Sequence, residues 1–235
     1  ATILQAHGHA VGMPSNKDMG NSEVGHNTLG AGRVFAQGAK LVEEAIKSGE
    51  ISQAPVWKEM LGHCRQHGTP LHFIGLLSDG NVHSHIEHLF YLLKEANREN
   101  IEEVYIHILL DGRDVAPQSA HEFIQNTEDV LAQINKQANR RYKIASGGGR
   151  MKITMDRYGA DWKMLEDGWK THVCGEGQHF SSALDALSHF RQQEPNICDQ
   201  DIPAFIISEN EKAIGPIRDG AAVIGFNFRG DRMLE

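Results

Sequence analysis

Two stretches with the same plan, LHFIGLLSDG at residues 71–80 and VYIHILLDGRD at residues 104–114, decide the fold. Each is an apolar run of strand length that closes on an Asp-Gly pair, which is the pattern of a buried strand followed by a loop. Residues 85–100 lie between them and carry apolar side chains at helical spacing. A strand, a helix and a second strand in this order indicate an α/β fold.

The same alternation continues towards the end of the chain. The further predicted elements are helices over 118–138, 160–173 and 182–193 and strands over 143–150, 203–208 and 221–231. We therefore predict an α/β fold, a three-layer sandwich with a mostly parallel central sheet flanked by helices. Glycines and charged motifs follow the strands, at the edge where such sheets bind ligands. Residues 1–35 are rich in glycine and poor in apolar runs, so we predict that they are mostly loop.

The composition argues against several classes of protein. The 235 residues include 23 Lys and Arg against 31 Asp and Glu, and the formal net charge of −8 does not suit a nonspecific nucleic-acid binder. No apolar run approaches the roughly 18 residues that a membrane span needs. The three cysteines lack metal-like spacing, as in a reduced protein of the cytoplasm. We expect a cytoplasmic monomer that binds neither nucleic acid nor membrane.

Both ends of the sequence resemble cuts. The first residue is Ala rather than Met, and the chain stops at MLE directly after the motif FNFRGDR. A natural end more often frays into polar residues. We therefore expect a piece excised from a longer enzyme.

The segment MGNSEVGH, residues 19–26, presents a serine between glycines. At such a turn or helix start the hydroxyl of Ser22 would be exposed, and neighbouring backbone N–H groups could hold a phosphate. A serine hydroxyl is a weak nucleophile unless a base or a metal activates it. Since no His-Asp pair lies beside it and the pattern is not G-x-S-x-G, we interpret Ser22 as a metal-activated nucleophile. The alternative is that Ser22 is only a helix N-cap.

The segment SDGNVHSHIEH, residues 78–88, places three histidines in one loop-to-helix stretch. Imidazoles at this density could act as acid and base or could ligate a metal. We select His83, because His85 and His88 fall at the start of the predicted helix. Asp114, in the next strand-end motif, is a candidate for taking a proton from a substrate hydroxyl. A solvated loop is the alternative for the histidine segment.

Arginines collect in three motifs that follow strands or glycines: DGRD (111–114), SGGGRMKITMDRY (146–158) and FNFRGDR (226–232). An arginine grips a carboxylate or a phosphate in a bidentate fork. In a protein of negative net charge, a local basic pocket indicates a small anionic ligand. The last two arginines are three residues apart, so on a helical turn both would face one way. The candidates are Arg113, Arg150, Arg157, Arg229 and Arg232.

Taken together, MGNSEVGHNTLGAGR, LLSDGNVHSH, LDGRD, ASGGGRMKITMDRY and FNFRGDR closely resemble the cofactor-independent phosphoglycerate mutase family, in that family's order and along nearly the whole chain. The family belongs to the alkaline phosphatase superfamily. It has a phosphatase-like domain with two metal ions, usually manganese, and a transferase domain inserted into it. The resemblance implies that residues 1–36 are a remnant of the phosphatase-like domain with the active serine. Residues 37–235 would be the inserted, substrate-binding transferase domain.

The resemblance implies a mutase that interconverts 3-phosphoglycerate and 2-phosphoglycerate, a glycolytic and gluconeogenic isomerisation, through a phosphoserine. Ser22 matches the serine that is phosphorylated and that also touches one metal ion, and Asp114 matches the base that handles the glycerate hydroxyl protons. The positions that match substrate-binding residues are His83, Arg113, Asp114, Arg150, Arg157, Arg229 and Arg232. Positioning and charge neutralisation govern this kind of transfer.

The metal sites depart from the family pattern. The Asp-Gly-Trp segment that precedes ATILQAHG in the family is absent here, as are the Asp, His and Lys residues that follow downstream, so Ser22 is the one metal-site residue present. We expect the two manganese ions to be held mainly by residues outside this chain, and the chain alone to be inactive. The stretch GGGRMKITMDR is one residue longer between its arginines than the shorter form GRYYAMDR, which makes Arg157 a less direct match than Arg150.

Three other interpretations stay open at the level of sequence. A phosphopentomutase or phosphatase of the same superfamily would share the serine and the metals, but a sugar phosphate has one anionic group to clamp and needs fewer arginines. A noncatalytic anion-binding module would use the same pocket with Ser22 as a cap. A histidine-rich metal-binding protein would use His83, His85 and His88.

Overall fold

The computed structural model describes residues 2–234. Its strands are β1 Leu71–Leu77, β2 Glu103–Leu110, β3 Arg141–Gly149, β4 Gln178–Phe180, β5 Phe205–Glu209, β6 Lys212–Ala213 and β7 Ala222–Gly225. They form one sheet in the order β4-β5-β3-β2-β1-β7, with β6 paired to β5 beside this path. The pairs β1–β2, β1–β7, β2–β3 and β4–β5 are parallel, whereas β5 runs antiparallel to β3 and β6. The prediction of an α/β fold around a mostly parallel sheet is confirmed.

Helices flank the sheet. They are α1 Ser22–Ala31, α2 Gly38–Ser48, α3 Glu50–Gln53, α4 Pro55–His67, α5 Ile86–Arg98, α6 Ala120–Ile134, α7 Trp162–Trp169 and α8 Ala183–Gln193. A π-helical turn, Lys170–Cys174, continues α7, and short 3-10 turns cover Gly8–Val11, Asp199–Asp201 and Gly230–Arg232. Helix α6 contacts both α5 and α8, so these three form one layer. No helix within residues 2–234 combines the length and the apolar character that a membrane span requires.

The alternation of side chains along the strands divides the core between the two faces of the sheet. Phe73 of β1 and Ile106 of β2 are fully buried in the large cluster that the α5–α6–α8 layer covers. Leu76 and Leu109 point to the other face, where they join a small cluster with residues of the segment after β3. Because Phe73 has no exposed surface, its truncation to alanine is expected to cost about 3–5 kcal/mol.

The two last predicted strands differ from the structure in direction and in length. The strand predicted over 203–208 is β5, and its antiparallel pairing with β3 makes the sheet mixed. The strand predicted over 221–231 ends at Gly225, because the side chain of Asn227 replaces the backbone: its Oδ1 accepts the N–H of Leu76 at 2.9 Å.

The prediction that residues 1–35 are mostly loop missed α1. The Oδ1 atom of Asn21 accepts the backbone N–H of Val24 at 3.1 Å and caps the first turn, and Gly32 ends the helix with a φ of 62°. Val24 is the one buried residue of α1. A ten-residue helix that buries so little has no apolar stripe for the sequence to reveal.

Candidate active site

The parallel strands β1, β2 and β3 end at the same edge of the sheet, and the predicted site residues gather there. Arg150 follows β3 directly, and its side chain is 2% exposed. Its Nη1 donates to Asp111 at 2.8 Å and to Asp114 at 2.5 Å, and its Nη2 lies 2.7 Å from Nε2 of His83. The loops after three different strands therefore meet at one buried guanidinium. Burying this charge is tolerated because two carboxylates surround it.

Asp111 organises the loop after β2, and its role was not predicted from the sequence. Its Oδ1 accepts the backbone N–H groups of Arg113 at 3.2 Å and of Asp114 at 3.1 Å, besides the bond from Arg150. Its Oδ2 accepts the hydroxyl of Ser78 at 2.6 Å. The available signal in the sequence was a charged residue directly after the apolar end of a buried strand. Its buried carboxylate fixes the backbone of Asp114 through the hydrogen bond to the Asp114 N–H. The side chain of Arg113 remains exposed to solvent.

His83 is neutral in this environment. Burial first, and then the charge of Arg150, lower the pKa of His83 to about 2. Since the guanidinium of Arg150 can only donate, Nε2 of His83 accepts, and the network assigns the ring proton to Nδ1. That Nδ1 atom is buried without a hydrogen-bond partner among the described residues. The ring therefore offers one N–H donor to an anionic oxygen. Its 3.8 Å approach to Asp114 is not an ion pair, because the ring is uncharged.

The arginines create a concentrated positive charge. The guanidinium groups of Arg150, Arg229, Arg232 and Arg113 all act on the pKa of His83. Burial, followed by the charges of Arg150 and Arg157, lowers the pKa of Arg232 below its ordinary value. Like charges that repel one another at this range are stabilised by a bound anion. The arrangement can hold a small ligand that carries more than one negative group.

Ser22 reaches this positive cluster from the other end of the chain. It is the first residue of α1, and its side chain does not cap the helix because Asn21 does. Its hydroxyl accepts a hydrogen bond from Nη2 of Arg229 at 3.2 Å. Nε of Arg229 lies 3.4 Å from the carboxylate of Glu23. An exposed hydroxyl at a helix N-terminus beside a guanidinium is well placed to meet a phosphoryl group.

Two arginine segments are linked through Asp231. Its carboxylate accepts from Arg229 at 2.9 Å and from Arg157 at 3.5 Å. Arg232 instead donates to the backbone carbonyl of Met155. Arg229 and Arg232 stand at the two ends of a short 3-10 turn, and their guanidinium groups bond to different segments while both act on the pKa of His83.

The histidine segment does not form a metal site. Within residues 2–234, no three His, Cys, Asp or Glu residues lie close enough together to hold a metal ion. His83 bonds to Arg150, and His85 caps α5 by accepting the N–H of Glu87 at 3.2 Å. The described residues alone therefore do not fit a two-metal centre.

The chain is similar to known proteins over nearly its whole length. Residues 42–235 match the family model described as BPG-independent PGAM N-terminus. The probable 2,3-bisphosphoglycerate-independent phosphoglycerate mutase of Leptospira interrogans is 54% identical over 232 residues, which is 99% of this chain and 42% of that protein. The 2,3-bisphosphoglycerate-independent phosphoglycerate mutase of Trypanosoma brucei brucei is 50% identical over 231 residues, covering 98% of this chain and 42% of its own length.

A solved structure shares the fold. The crystal structure of Leishmania mexicana phosphoglycerate mutase at low cobalt concentration superposes with a TM-score of 0.95 and 48% sequence identity, over 98% of this chain and 42% of that one. This chain thus spans less than half the length of these relatives. The match covers both the arginine motifs and the strands that carry them. The chain belongs to the family of the BPG-independent phosphoglycerate mutase N-terminus.

Proposed function

We propose that the complete protein that carries this chain interconverts 3-phosphoglycerate and 2-phosphoglycerate through a phosphoserine at Ser22. The observation that carries the proposal is the hydrogen bond from Arg229 to the Ser22 hydroxyl. It joins the candidate nucleophile to a cluster of arginines, whose guanidinium groups can bind both a phosphate and a carboxylate. The names of the relatives support the same activity.

In the proposed reaction, the Oγ atom of Ser22 attacks phosphorus while the bond from phosphorus to O3 of the substrate breaks, and the hydroxyl proton of Ser22 leaves to water. Asp114 takes a proton from water and supplies it to O3. The glycerate then turns in the site, Asp114 takes the proton of the 2-hydroxyl, and O2 attacks phosphorus while the bond from phosphorus to Oγ breaks and Oγ regains a proton from water. Asp114 can serve both transfers because its carboxylate is held by Arg150 yet is 14% exposed.

The remaining residues bind and orient the substrate. Nδ1–H of His83 would donate to an anionic oxygen, because its own chain gives it no acceptor among the described residues. The arginines would neutralise carboxylate and phosphate during the transfer, which depends on positioning and electrostatics. The proposed substrate-binding set is His83, Arg113, Asp114, Arg150, Arg157, Arg229 and Arg232.

The proposed metal is manganese, as two ions, with Ser22 as one ligand and the other ligands outside the described residues. When bound, such ions act as Lewis acids on a phosphoryl oxygen and on the serine hydroxyl. The chain by itself is therefore proposed to be inactive. We further propose that the complete protein is a cytoplasmic monomer.

The proposed division of the chain is a phosphatase-domain segment at residues 1–36 and a transferase domain at residues 37–235. The match to the family model begins at residue 42. The early residues also have a small cluster of their own, formed by Val11, Met13, Val24 and Ala39. Several of their apolar side chains are exposed, Ile3 and Leu29 among them, as expected of a segment that packs on something else.

The test is a coupled assay of the complete encoded protein with 3-phosphoglycerate and manganese, followed by mass spectrometry of the peptide that contains Ser22. We expect turnover and a phosphoserine at that position. Ser22→Ala should lose at least about a thousandfold in activity, because nothing replaces the nucleophile. Ser52→Ala is the matched control, since that hydroxyl only bonds to the backbone of Gly49. Anion binding without phosphoserine or turnover would favour the noncatalytic module instead.

A further inference from the structure

Three buried histidines outside the anion site form a hydrogen-bonded line across the second face of the sheet. Nδ1 of His72 lies 2.9 Å from Nε2 of His107 on the neighbouring strand, and Nδ1 of His107 lies 2.7 Å from the hydroxyl of Ser146 on β3. The same hydroxyl lies 2.9 Å from Nδ1 of His172 in the π-helical turn. The line ends at Thr154, whose Oγ1 lies 3.0 Å from Nε2 of His172. We call these five residues the histidine line.

All three rings are neutral. Burial lowers the pKa of His72 and of His172 to about 4, and burial with the neighbouring imidazoles lowers the pKa of His107 well below its ordinary value. Each ring therefore carries one N–H. A buried hydroxyl rarely leaves its proton unpaired, so the proton of Ser146 lies within the line, and the donors then all run in one of two directions.

The free end of the line selects the direction. Nε2 of His72 is buried without a partner among the described residues. If the donors ran from Thr154 towards His72, that nitrogen would hold an orphaned N–H, which is rarer in buried sites than an unused acceptor. If they run from His72 towards Thr154, the nitrogen holds only a lone pair. In this assignment Nε2–H of His172 donates to Oγ1 of Thr154.

Thr154 needs such an anchor. Its φ of 70° lies in the left-handed region, which is unusual for a β-branched residue. Its N–H donates to the carbonyl of Met164 in α7 at 3.1 Å. Helix α7 comes so close that a Cβ at Gly168 would clash with Oγ1 of Thr154. A strained residue of this kind persists when its surroundings determine it from several sides.

The loop that Thr154 anchors carries two groups of the anion site. The next residue, Met155, offers the carbonyl that accepts the guanidinium of Arg232. Three residues after Thr154, Arg157 reaches Asp231. Arg232 is repelled by its arginine neighbours, so its place depends on that carbonyl. The path of the backbone at Thr154 therefore decides where these two charges lie.

We propose that Thr154 and His172 are positioning residues, which hold Arg232 and Arg157 where the anionic substrate needs them. The inference rests on the proposed mutase function and adds two residues that act through the arginines rather than on the substrate. Both belong to the histidine line, which ties them to the centre of the sheet.

The test compares two substitutions of Thr154 in the complete encoded protein. Thr154→Val keeps the shape and removes the hydroxyl, and Thr154→Ser keeps the hydroxyl. We expect Thr154→Val to raise KM for 3-phosphoglycerate on the order of tenfold with a smaller change in kcat, and Thr154→Ser to restore most of the affinity. The control is Thr127→Val, which removes a fully buried hydroxyl that bonds only to its own helix at Phe123 and should lower Tm without moving KM.

Two results would overturn the proposal: an unchanged KM in Thr154→Val, or the same rise in KM in Thr154→Ser. Should Thr154→Val fail to fold, His172→Gln, which keeps a donor near the position of Nε2, and His172→Leu, which has none, make the same comparison. Amide exchange of residues 153–158 gives a readout that does not need activity. If the wild-type protein shows no mutase turnover, the proposed function fails. The positioning role of Thr154 is then judged by amide exchange alone. Faster exchange in Thr154→Val than in Thr154→Ser supports that role, and equal exchange in the two variants refutes it.

Discussion

Asp111 and Arg150 form an ion pair of 2.8 Å in which neither side chain is more than 2% exposed. One follows β2 and the other follows β3, so the pair fastens two neighbouring strand ends at the candidate site. Asp111 also accepts two backbone N–H groups of its own loop. The pair therefore fixes both the guanidinium and the backbone that presents Asp114.

Removing one partner of this pair should be costly. Asp111→Ala leaves the guanidinium of Arg150 buried with less compensation and frees two backbone donors, so we expect a loss of about 3–5 kcal/mol in the free energy of unfolding. Urea denaturation measures this loss. Glu166→Ala, which removes an exposed carboxylate paired with Lys170, is the control and should leave the urea midpoint nearly unchanged. A small effect of Asp111→Ala would mean that the buried pair does not support the fold.

The buried histidines should make stability depend on pH. The folded-state pKa of His72 is about 4, below the 6.5 of an unperturbed histidine, so the unfolded chain binds more protons between these values. This contribution is fully present above pH 6.5 and is lost as the pH falls towards 4. We expect His72→Gln to flatten the pH dependence in that window by up to about 1.4 kcal/mol per pH unit. Urea denaturation from pH 4 to pH 8 gives the slope, and equal slopes in both proteins would contradict the assignment.

The sequence was sufficient for the strands that carry the site. β1 and β2 are buried and mostly apolar runs, which can be recognised without knowing their neighbours, and β3 is marked by the glycines at its end. The charged residues that follow the strands could then be assigned to one edge. The resemblance to a family supplied the roles that spacing left open, above all for Ser22.

The sequence did not indicate the contacts that depend on which strands pair side by side in the sheet. The histidine line requires His72, His107 and Ser146 to lie side by side on three strands, which is a matter of register between segments more than thirty residues apart. The contacts of Asp111 include a hydrogen bond from the side chain of Arg150, which follows the neighbouring strand. Neither relationship leaves a periodic signal in the chain.

The contact between Arg229 and Ser22 should matter for ligand affinity. Arg229 bonds to Ser22 and Asp231 through one nitrogen and faces Glu23 with another, a fork that a lysine ammonium cannot reproduce. We expect Arg229→Lys to weaken binding of 3-phosphoglycerate to the complete protein about tenfold, as measured by titration calorimetry. Arg98→Lys, at a largely exposed position, should bind like the wild type. Equal affinity in the two variants would remove Arg229 from the site.

Two effects of opposite sign meet at Gly168. Alanine is the better helix former by up to about 1 kcal/mol, which alone would make Gly168→Ala stabilising. A Cβ at this position, however, would clash with the Thr154 hydroxyl and lie 3.0 Å from its backbone nitrogen. Such crowding costs roughly 1–3 kcal/mol. We expect a net loss of stability together with a higher KM, since the loop that carries Arg157 must move.

Gly62→Ala, within α4 and with nothing near its added Cβ, should instead raise the midpoint of unfolding. Thermal and urea unfolding measure the stability of both alanine variants. If both are equally stabilised, α7 does not contact Thr154 closely, and Thr154 does not hold the loop that carries Arg157.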